Sequence, residues 1–374
     1  MPNPPEKRPS VRILGTRGYP SYYGGFETAV RKLAPYLVTK GWDVTVYGRP
    51  GTTQPNDPQL DTRVQTQLTR GLETRSLSTL SYGLTSSFDT AIHKTDVALV
   101  FNVANGFYLP ALKARGIPTL VNVDGIEWER AKWGPLAKKV FHAGARLTAK
   151  YASGLVFDAR AIEDYWQENF KATGTFIPYG GDSPDPLPVP KGLSHRGYVL
   201  MVARFVPENS IHEFFTAVPA IAAQYPVVIV GNAGYGGEFD QIAQDLALEH
   251  PTVSWLGRVS DDKLLSALWQ HAGVYFHGHS VGGTNPALVQ AMAAGAPILA
   301  RDTIYNREVL GPTGLFIDVA ASSISSAINS MMKDEYQLEE LSKVNYHRAL
   351  LHYSWGQVCT DYENALRSLL KNRN

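Results

Sequence analysis

The sequence predicts an α/β protein made of two doubly wound domains, each built on a parallel sheet. At 374 residues the chain is longer than a single hydrophobic core usually supports. Short apolar runs alternate with helix-length stretches in both halves, as in βαβ units. Between the halves, residues 182–190 hold four prolines and cannot form a regular element. We therefore expect a linker there, between domains of residues 1–187 and 193–355.

The first half contains apolar runs with the length of buried strands. After the first run, apolar side chains from Phe26 to Leu37 recur at helical spacing, so a helix should begin at the Gly24-Gly25 turn. Residues 48–61 are rich in turn-forming residues and predict a surface loop. The predicted strands are 11–14, 44–47, 97–101, 119–123 and 154–157.

The same alternation restarts after the prolines and predicts the second sheet. Its expected helices begin at Ile211, Phe239, Asp261 and Pro286. Its predicted strands are 198–202, 227–230, 253–256, 274–276, 297–300 and 315–317.

Composition narrows the class of protein. A hydrophobic fraction of 44% with 18% charged residues is typical of a globular chain, and a net charge of +1 gives no reason to expect nucleic acid. The single cysteine, Cys359, excludes an internal disulfide framework and fits a reducing cytoplasm. Residues 1–10 lack the apolar core of a secretory signal, and no apolar run is long enough to span a membrane. We expect a cytoplasmic protein, with any contact at the inner face of the cell membrane being peripheral.

The segment that follows strand 274–276 is the most informative part of the chain. It reads as a strand end, a polar loop through Gly282, Gly283, Thr284 and Asn285, and a helix beginning at Pro286. Loops at the carboxyl ends of parallel strands bind ligands, and glycines let an anionic or hydroxyl-rich ligand approach the main chain. The alternative is a loop that only turns the chain, since the same residues are good turn formers.

This segment resembles the nucleotide-sugar loop of family 4 retaining glycosyltransferases, and its sequence from His279 to Pro286 resembles that of the rhamnosyltransferase-like branch. The resemblance implies the GT-B architecture, with two domains facing across a cleft and a last helix, about 356–374, that packs back on the first domain. Further motifs in the same order are Gly15 to Pro20 with Tyr23 to Thr28, Asp124 to Trp128 with Lys132-Trp133, Ile177 to Gly180, Ala203 to Asn209, and Asn306 to Val309.

A nucleotide-sugar donor carries a diphosphate whose negative charge grows as the glycosidic bond breaks, so its site needs cations and backbone donors. Arg204 follows strand 198–202 directly and can grip phosphate oxygens with its guanidinium. The family commonly has a lysine five residues later, where this chain has Asn209. Arg307 and the amides of Gly283 and Thr284 are the expected replacements.

The first domain is expected to contribute to the same donor. Gly24 and Gly25 at a helix start can donate N–H groups, and Arg17 can assist. Asp124, at the end of strand 119–123, is a candidate to orient or deprotonate the acceptor hydroxyl. Capping of a helix is the alternative for Asp124.

The chain departs from the family at both glutamates of its Glu-x7-Glu motif. The first falls at Gly282 and the second at Gln290. Glutamine keeps one acceptor and two donors for a sugar hydroxyl, and Glu308 is the nearest remaining acid that can contact the sugar. His277 and His279 lie without a third metal ligand nearby, so we expect them to hydrogen-bond a ligand or the loop, with no metal site.

Lys139, Arg146 and Lys150 form one basic stripe on the helix that Pro135 opens. Such a stripe can rest on anionic lipid and approach a lipid-linked acceptor. A solvated helix face is the alternative.

Together these features predict a retaining hexosyltransferase that needs no metal or cofactor and moves a sugar from a dTDP-, UDP- or GDP-linked donor to a saccharide, lipid-linked acceptor in cell-surface polysaccharide assembly. Rhamnose from dTDP-rhamnose is the first candidate donor. The resemblance also implies front-face attack, in which the leaving phosphate oxygen receives the acceptor proton. A catalytically weak partner subunit and a nucleotide-sugar epimerase are the alternatives. The Gly15-x-x-Gly18 sequence lacks a full dinucleotide fingerprint and disfavours a nicotinamide enzyme.

Overall fold

The structure, a computed structural model, describes residues 8–22, 24–53, 56–73, 78–130, 133–234 and 236–371. The chain divides into two compact units, which we call unit 1 (Met1–Pro178 with Gly356–Asn374) and unit 2 (Tyr179–Trp355). Each unit has a parallel sheet with helices between its strands. The predicted fold class, two Rossmann-like α/β domains, is therefore confirmed.

Unit 1 contains a seven-stranded parallel sheet in the order β3-β2-β1-β4-β5-β6-β7. Its strands are β1 (Ser10–Leu14), β2 (Asp43–Gly48), β3 (Gln65–Leu68), β4 (Val97–Phe101), β5 (Thr119–Asn122), β6 (Gly154–Phe157) and β7 (Thr175–Phe176). Its helices are α1 (Gly25–Thr39), α2 (Ser78–Ile92), α3 (Leu109–Ala114), α4 (Pro135–Tyr151) and α5 (Arg160–Phe170), with short 3-10 helices at Val103–Tyr108 and Glu127–Glu129.

Unit 2 contains a six-stranded parallel sheet in the order β10-β9-β8-β11-β12-β13. Its strands are β8 (Val199–Val202), β9 (Val227–Val230), β10 (Val253–Trp255), β11 (Val274–His277), β12 (Ile298–Arg301) and β13 (Leu315–Ile317). Its helices are α6 (Ile211–Ala222), α7 (Glu238–Glu249), α8 (Asp262–His271), α9 (Pro286–Ala293), α10 (Ile304–Leu310), α11 (Ala321–Met331) and α12 (Glu335–His352), with a 3-10 helix at Pro207–Asn209.

The last helix, α13 (Trp355–Lys371), runs from the end of unit 2 into unit 1. There the Asn122 side chain donates a hydrogen bond of 2.7 Å to the buried Tyr362 hydroxyl. The Trp42 indole N–H donates to Glu363 Oε1 at 3.4 Å. Leu366 is fully buried on the same helix. The chain's C-terminal helix is thus part of the core of unit 1.

Two strands of the first sheet carry no apolar signal in the sequence. All four residues of β3 are exposed, and β7 is two residues long. Both are peripheral strands whose pairing partners, β2 and β6, are buried. A strand that buries little side-chain surface has no need of an apolar run, which explains why the sequence did not predict them.

The boundary between the units lies at Pro178, before the proline-rich segment 182–190. That segment is attached to unit 2 because its backbone pairs with α8. The Leu187 N–H donates to Gln270 Oε1 at 2.8 Å, and the Leu187 carbonyl lies 2.8 Å from the His271 ring. Residues 182–190 are therefore grouped with unit 2, and this unit begins earlier than the predicted residue 193.

Each sheet reverses its strand order at one point. In unit 2 the reversal lies between β8 and β11, which pair directly, and in unit 1 it lies between β1 and β4. Loops that leave neighbouring strands in opposite directions open a crevice at the carboxyl ends of those strands, and open α/β sheets bind ligands there. We call the carboxyl ends of β8 and β11, together with the loops that follow these two strands, the β8/β11 crevice.

Candidate functional site

Arg204 lies in the β8/β11 crevice, two residues after β8. Its side chain is exposed, and its guanidinium makes no hydrogen bond or ion pair with any residue that the structure describes. The Arg204 carbonyl accepts a hydrogen bond of 2.9 Å from the side chain of buried Asn209. Asn209 therefore shapes the loop, and the arginine is left open to a ligand.

The loop that follows β11 is held by hydrogen bonds to its backbone. The Ser280 N–H and hydroxyl both donate to the Glu208 carbonyl, at 2.9 and 2.8 Å. The Ser210 hydroxyl donates to the Gly278 carbonyl at 2.7 Å, and the Asn306 side chain donates to the His279 carbonyl at 3.0 Å. These contacts fix residues 278–280 against the turn after β8.

Sequence reasoning did not select Ser210 or Asn306. Their bonds to the loop join residues 68 and 27 positions apart, so no local spacing signals them. Ser210 also accepts a hydrogen bond of 3.0 Å from Arg301 Nη1. The three side chains form one buried or half-buried network beneath the glycine loop.

Gly282 lies where the resemblance implies the first glutamate of the Glu-x7-Glu motif. Its φ is +102°, a region that L residues other than glycine rarely adopt. A glutamate at this position would be strained by the backbone that the loop has here. The observed backbone at this position therefore favours glycine over glutamate.

The start of α9 supplies fewer free donors than its sequence suggests. Asn285 is the N-cap and its side chain accepts from the Ala287 N–H at 3.0 Å, while the Leu288 N–H donates to the Asn285 carbonyl at 3.1 Å. The Gly283 amide donates to no residue among those described. Backbone donors for a ligand are therefore to be sought in the glycine loop, Gly283 above all.

The two histidines of the loop stack on each other. Their ring centroids are 4.3 Å apart with an interplanar angle of 11°, and His277 Nδ1 lies 3.0 Å from the Tyr275 hydroxyl. Burial lowers the pKa of His277 well below its ordinary value, and the neighbouring His279 lowers it further. A neutral His277 ring therefore forms the floor against which His279, half-buried, is placed.

Gln290 has partners within the protein. Its amide nitrogen donates to the Asp182 carbonyl at 2.8 Å, and its amide oxygen accepts from the Asp182 N–H at 3.0 Å. This reciprocal pair joins α9 to the segment after Gly181. A contact of Gln290 with the ribose, as the sequence predicts, would use the remaining amide hydrogen and lone pair or break this pair.

The structure places Arg307 and Glu308 on α10. Arg307 pairs with Asp302 through two short bonds, Nε to Oδ1 at 2.6 Å and Nη2 to Oδ2 at 2.8 Å, and both side chains are exposed. Its charge is therefore matched locally and would have to leave Asp302 to replace the missing lysine. Glu308 is half-buried, and its carbonyl accepts from Arg348 at 2.9 Å.

Glu208 is an acidic residue that the sequence analysis missed. It lies in the 3-10 turn between Arg204 and Ser210, directly against the glycine loop. Both of its carboxylate oxygens are buried and have no hydrogen-bond partner among the described residues. A buried, unpartnered carboxylate at a ligand crevice is a candidate to bind hydroxyl groups of the ligand.

In unit 1, α1 begins at Gly25 with Gly24 as its N-cap, and no side chain caps it. Buried Glu27, one turn in, accepts a hydrogen bond of 3.1 Å from the Arg17 N–H. The predicted glycine turn and Arg17 therefore lie side by side. Tyr23 lies outside the described residues.

Asp124 follows β5 with φ +62°, and its N–H donates to Asn122 Oδ1 at 2.9 Å. It is half-buried. The N-cap of the next helical turn is Ile126, so Asp124 does not have the capping position. Glu127 is buried and accepts from the Trp133 indole at 2.7 Å, whereas Lys132 lies outside the described residues.

Lys139, Arg146 and Lys150 are all exposed on α4, and Leu136, in the first turn of this helix, is 77% exposed. Among the described helices, none combines the length and apolar content needed to cross a membrane. The described part of the chain also contains no cluster of three or more His, Cys, Asp or Glu side chains placed to hold a metal ion.

Two protein-family models match parts of the chain. Residues 190–348 match the model of the family described as Glycosyl transferases group 1. Residues 92–182 match a domain of unknown function, DUF1972. Most of unit 2 therefore matches the glycosyl transferases group 1 model, and the match includes the whole β8/β11 crevice.

Relatives with known names are distant in sequence. The chain is 24% identical over 185 residues to O-antigen chain mannosyltransferase B of Escherichia coli, and the alignment covers 47% of this chain and 47% of that protein. The chain thus spans about half the length of this curated relative.

Solved structures match over almost the whole chain. Sucrose-phosphate synthase of Thermosynechococcus elongatus has a TM-score of 0.80 at 19% identity, covering 98% of this chain and 100% of that one. Anabaena HepE in complex with UDP-glucose has a TM-score of 0.75 at 16% identity, covering 96% and 99%. A glycosyltransferase of Rickettsia africae has a TM-score of 0.74 at 13% identity, covering 98% and 100%. These neighbours are GT-B glycosyltransferases, and at such identities the likeness shows the fold.

The Gln290 pair predicts a stability effect. Gln290→Ala removes two neutral hydrogen bonds to Asp182 and should lower the free energy of unfolding by about 1 to 2 kcal/mol in urea titration. Gln290→Glu at neutral pH presents a carboxylate oxygen to the Asp182 carbonyl and should also destabilise. That loss should shrink near pH 4, where a protonated carboxyl can donate.

Gln224→Ala, at an exposed position of the same unit, is the matched control and should change stability by less than about 0.5 kcal/mol. A Gln290→Ala variant as stable as this control would show that the pair with Asp182 does not contribute.

Proposed function

We propose that the chain is a glycosyltransferase that binds a nucleotide sugar at the β8/β11 crevice and transfers the sugar to a saccharide. The observation that carries the proposal is Arg204, which is exposed, has no partner among the described residues and lies beside the glycine loop of a unit that matches the group 1 model. Arginine binds phosphate oxygens in a fork, and its benefit grows as the leaving diphosphate gains charge. The named neighbours support a nucleotide-sugar donor, since HepE is described in complex with UDP-glucose.

The rest of the crevice fits the needs of a diphosphate. The Gly283 amide is a backbone donor that no described residue uses. Thr284 and Asn285 complete the loop, and Arg307 would add a second cation if it leaves Asp302. In unit 1, Gly24, Gly25 and Arg17 remain proposed contacts of a phosphate group, as the sequence predicts.

We propose a retaining transfer without a metal ion or a protein nucleophile. The leaving phosphate oxygen takes the proton of the acceptor hydroxyl as the new glycosidic bond forms on the face that the diphosphate leaves. Arg204 and the loop amide stabilise the departing charge. Asp124, half-buried and away from the capping position, is proposed to orient the acceptor hydroxyl.

The resemblance implies a glutamate at the position of Gly282. We propose that Glu208 supplies this carboxylate instead. Its two buried oxygens have no described partner, and its backbone contacts the glycine loop through Ser280. A carboxylate accepts hydrogen bonds from sugar hydroxyls more strongly than a neutral group does. Glu308 and His279 are the other proposed sugar contacts. Gln290 is proposed to contact the ribose with the amide hydrogen and the lone pair that its hydrogen bonds to Asp182 do not use.

The donor is proposed to be dTDP-rhamnose, on the branch resemblance of residues 279–286. The relative from Escherichia coli is named a mannosyltransferase, so mannose is the competing sugar, and UDP and GDP are the competing nucleotides. That relative's O-antigen substrate supports a role in cell-surface polysaccharide synthesis.

A lipid-linked acceptor is proposed from α4. Lys139, Arg146 and Lys150 are exposed along it, and Leu136 is an exposed apolar side chain near its start. Cations beside an apolar side chain are typical of helices that rest on anionic membranes. This contact would keep the protein at the inner face of the cell membrane.

Arg204→Ala should lower kcat/KM by roughly a hundredfold or more with the fold intact, because the variant loses transition-state charge stabilisation. Arg204→Lys should recover part of the loss, since it keeps the charge without the fork. The measurement is release of nucleoside diphosphate from dTDP-, UDP- and GDP-sugars in the presence of saccharide acceptors.

Lys333→Ala is the matched control. Lys333 is exposed and follows Met332, which packs against Gly273 at the amino end of β11, the opposite edge of the sheet. Full activity of Arg204→Ala would remove Arg204 from the mechanism. If wild type binds nucleotides but turns over no donor, the non-catalytic partner subunit becomes the better account.

Glu208→Gln should weaken binding of the nucleotide sugar by about tenfold to a hundredfold, while binding of the nucleoside diphosphate alone stays unchanged. The reason is that hydrogen bonds to a charged group contribute about 1.5 to 3 kcal/mol. Calorimetric titration of both ligands separates the two effects. Glu249→Gln, exposed at the end of α7, is the control. Equal affinity of wild type and Glu208→Gln for the sugar nucleotide would contradict a sugar contact.

A further inference from the structure

Arg49, directly after β2 in unit 1, is a buried cation that has no hydrogen-bonded carboxylate partner among the described residues. The residue is 6% exposed, and its Nε and Nη1 have no hydrogen-bond partner among the described residues. The nearest carboxylate in an ion pair is that of Glu73, 3.7 Å from Nη1, and the Glu73 side chain is 54% exposed. That distance is too long for a hydrogen bond, and because the Glu73 carboxylate is partly in solvent its attraction to Arg49 is weakened.

The surroundings of Arg49 form a recess at the carboxyl ends of β1 and β2. The guanidinium lies over the Tyr82 ring, 4.7 Å from its centroid. Gly15, Thr16 and Thr69 line the same recess. Burial lowers the pKa of Arg49 and the charge of Arg17 lowers it further, whereas the charges of Glu73 and Glu27 raise it, so a second cation and two carboxylates act on Arg49 from a distance.

This arrangement is unfavourable for folding alone. Removing an arginine from water costs free energy that the Tyr82 ring and carboxylates without a hydrogen bond to it, Glu73 and Glu27, repay only in part, and an apolar side chain of similar size would fill the space at no such cost. The recess has a free volume of about 10 Å³, which admits one oxygen atom of an anionic group, and such an oxygen would accept a missing hydrogen bond from Arg49. The unpartnered Nε–H and Nη1–H groups are each able to donate to an oxygen of a carboxylate or a phosphate, which accept charge-assisted hydrogen bonds from arginine.

We propose that the recess around Arg49 binds one anionic group, a carboxylate or a phosphate, and that this group belongs to the acceptor. The assignment to the acceptor rests on the proposed function, which places the nucleotide sugar at the β8/β11 crevice of unit 2. The anion site itself rests only on Arg49 and its surroundings. The acceptor would then be an acidic saccharide or one attached to a phosphate.

The test is the unfolding temperature of the full chain at constant ionic strength with inorganic phosphate, glucuronate or uncharged glucose. Wild type should gain stability with phosphate or glucuronate, because a ligand that binds only the folded state raises that temperature, and should not respond to glucose. A response to glucuronate alone supports an acidic saccharide, and a response to phosphate alone supports a phosphate-linked acceptor.

Arg49→Met should be at least as stable as wild type without ligand and should bind the anion about tenfold more weakly or worse. A purely structural arginine would do the reverse, so Arg49→Met with a lower unfolding temperature and an unchanged anion response overturns the proposal. If Arg49→Met does not fold, Arg49→Lys keeps the charge without the guanidinium N–H groups and should show an intermediate response. An unchanged response would then overturn the proposal. Arg115→Met, exposed at the end of α3 and before β5, is the matched control.

Nucleotide binding separates this proposal from the proposed function. Arg49→Met should bind UDP, GDP and dTDP as wild type does, and Arg204→Ala should keep the response of the Arg49 recess. If no nucleotide binds wild type but Arg49 still governs the anion response, the donor proposal fails and the anion site stands.

Discussion

The hydrogen bonds between the two loops of the β8/β11 crevice are the constraint on which the candidate site depends. Ser210 and the Glu208 carbonyl hold residues 278–280 from the β8 side, and Asn306 holds them from α10. Parallel strands reverse order here, so the crevice exists by topology, but a loop rich in glycine would be loose without these anchors. With them, the Gly283 amide and the Arg204 side chain are kept at one edge of one sheet.

Charges that lack partners are the second feature that organises the molecule. Arg49 and Glu208 each bury polar atoms without a described hydrogen-bond partner, and each lies at the carboxyl edge of its own sheet. Stability selects against such groups, and in folded proteins they are concentrated where ligands bind. The opposite signs suit opposite tasks, because a guanidinium receives anions and a carboxylate receives hydroxyl groups. Arg307, by contrast, has its charge matched by Asp302 on the surface.

Most of the fold was predictable from the sequence because the central strands are buried on both faces and need continuous apolar runs. β4 is buried at all five positions, and β9 at all four. The sequence did not predict β3 and β7, because an exposed or very short peripheral strand has no continuous apolar run. The linker prediction rested on proline chemistry, which excludes regular structure but cannot say which unit the segment packs against. The pairing of Leu187 with α8 decides that.

The site was predictable only where position along the chain fixes position in space. Arg204 follows a strand, so its location at the sheet edge could be predicted, as could the glycine loop after β11. Contacts between distant segments could not be. Gln290 meets Asp182 across 108 residues, and nothing in either sequence neighbourhood announces it. Glu208 and Arg49 were missed for the same reason. Both stand out because buried polar atoms have no hydrogen-bond partner among the described residues, and only the tertiary structure shows this.

Hydrogen–deuterium exchange with and without nucleoside diphosphate tests the central claim most directly, because it reports where the nucleotide binds without requiring the acceptor. The account predicts that UDP, GDP or dTDP slows exchange of backbone amides in residues 204–210 and 278–285, while the opposite edge of the same sheet is unaffected. Protection confined to other parts of the chain, or none at saturating concentrations of all the nucleotides, would contradict a donor site at the β8/β11 crevice.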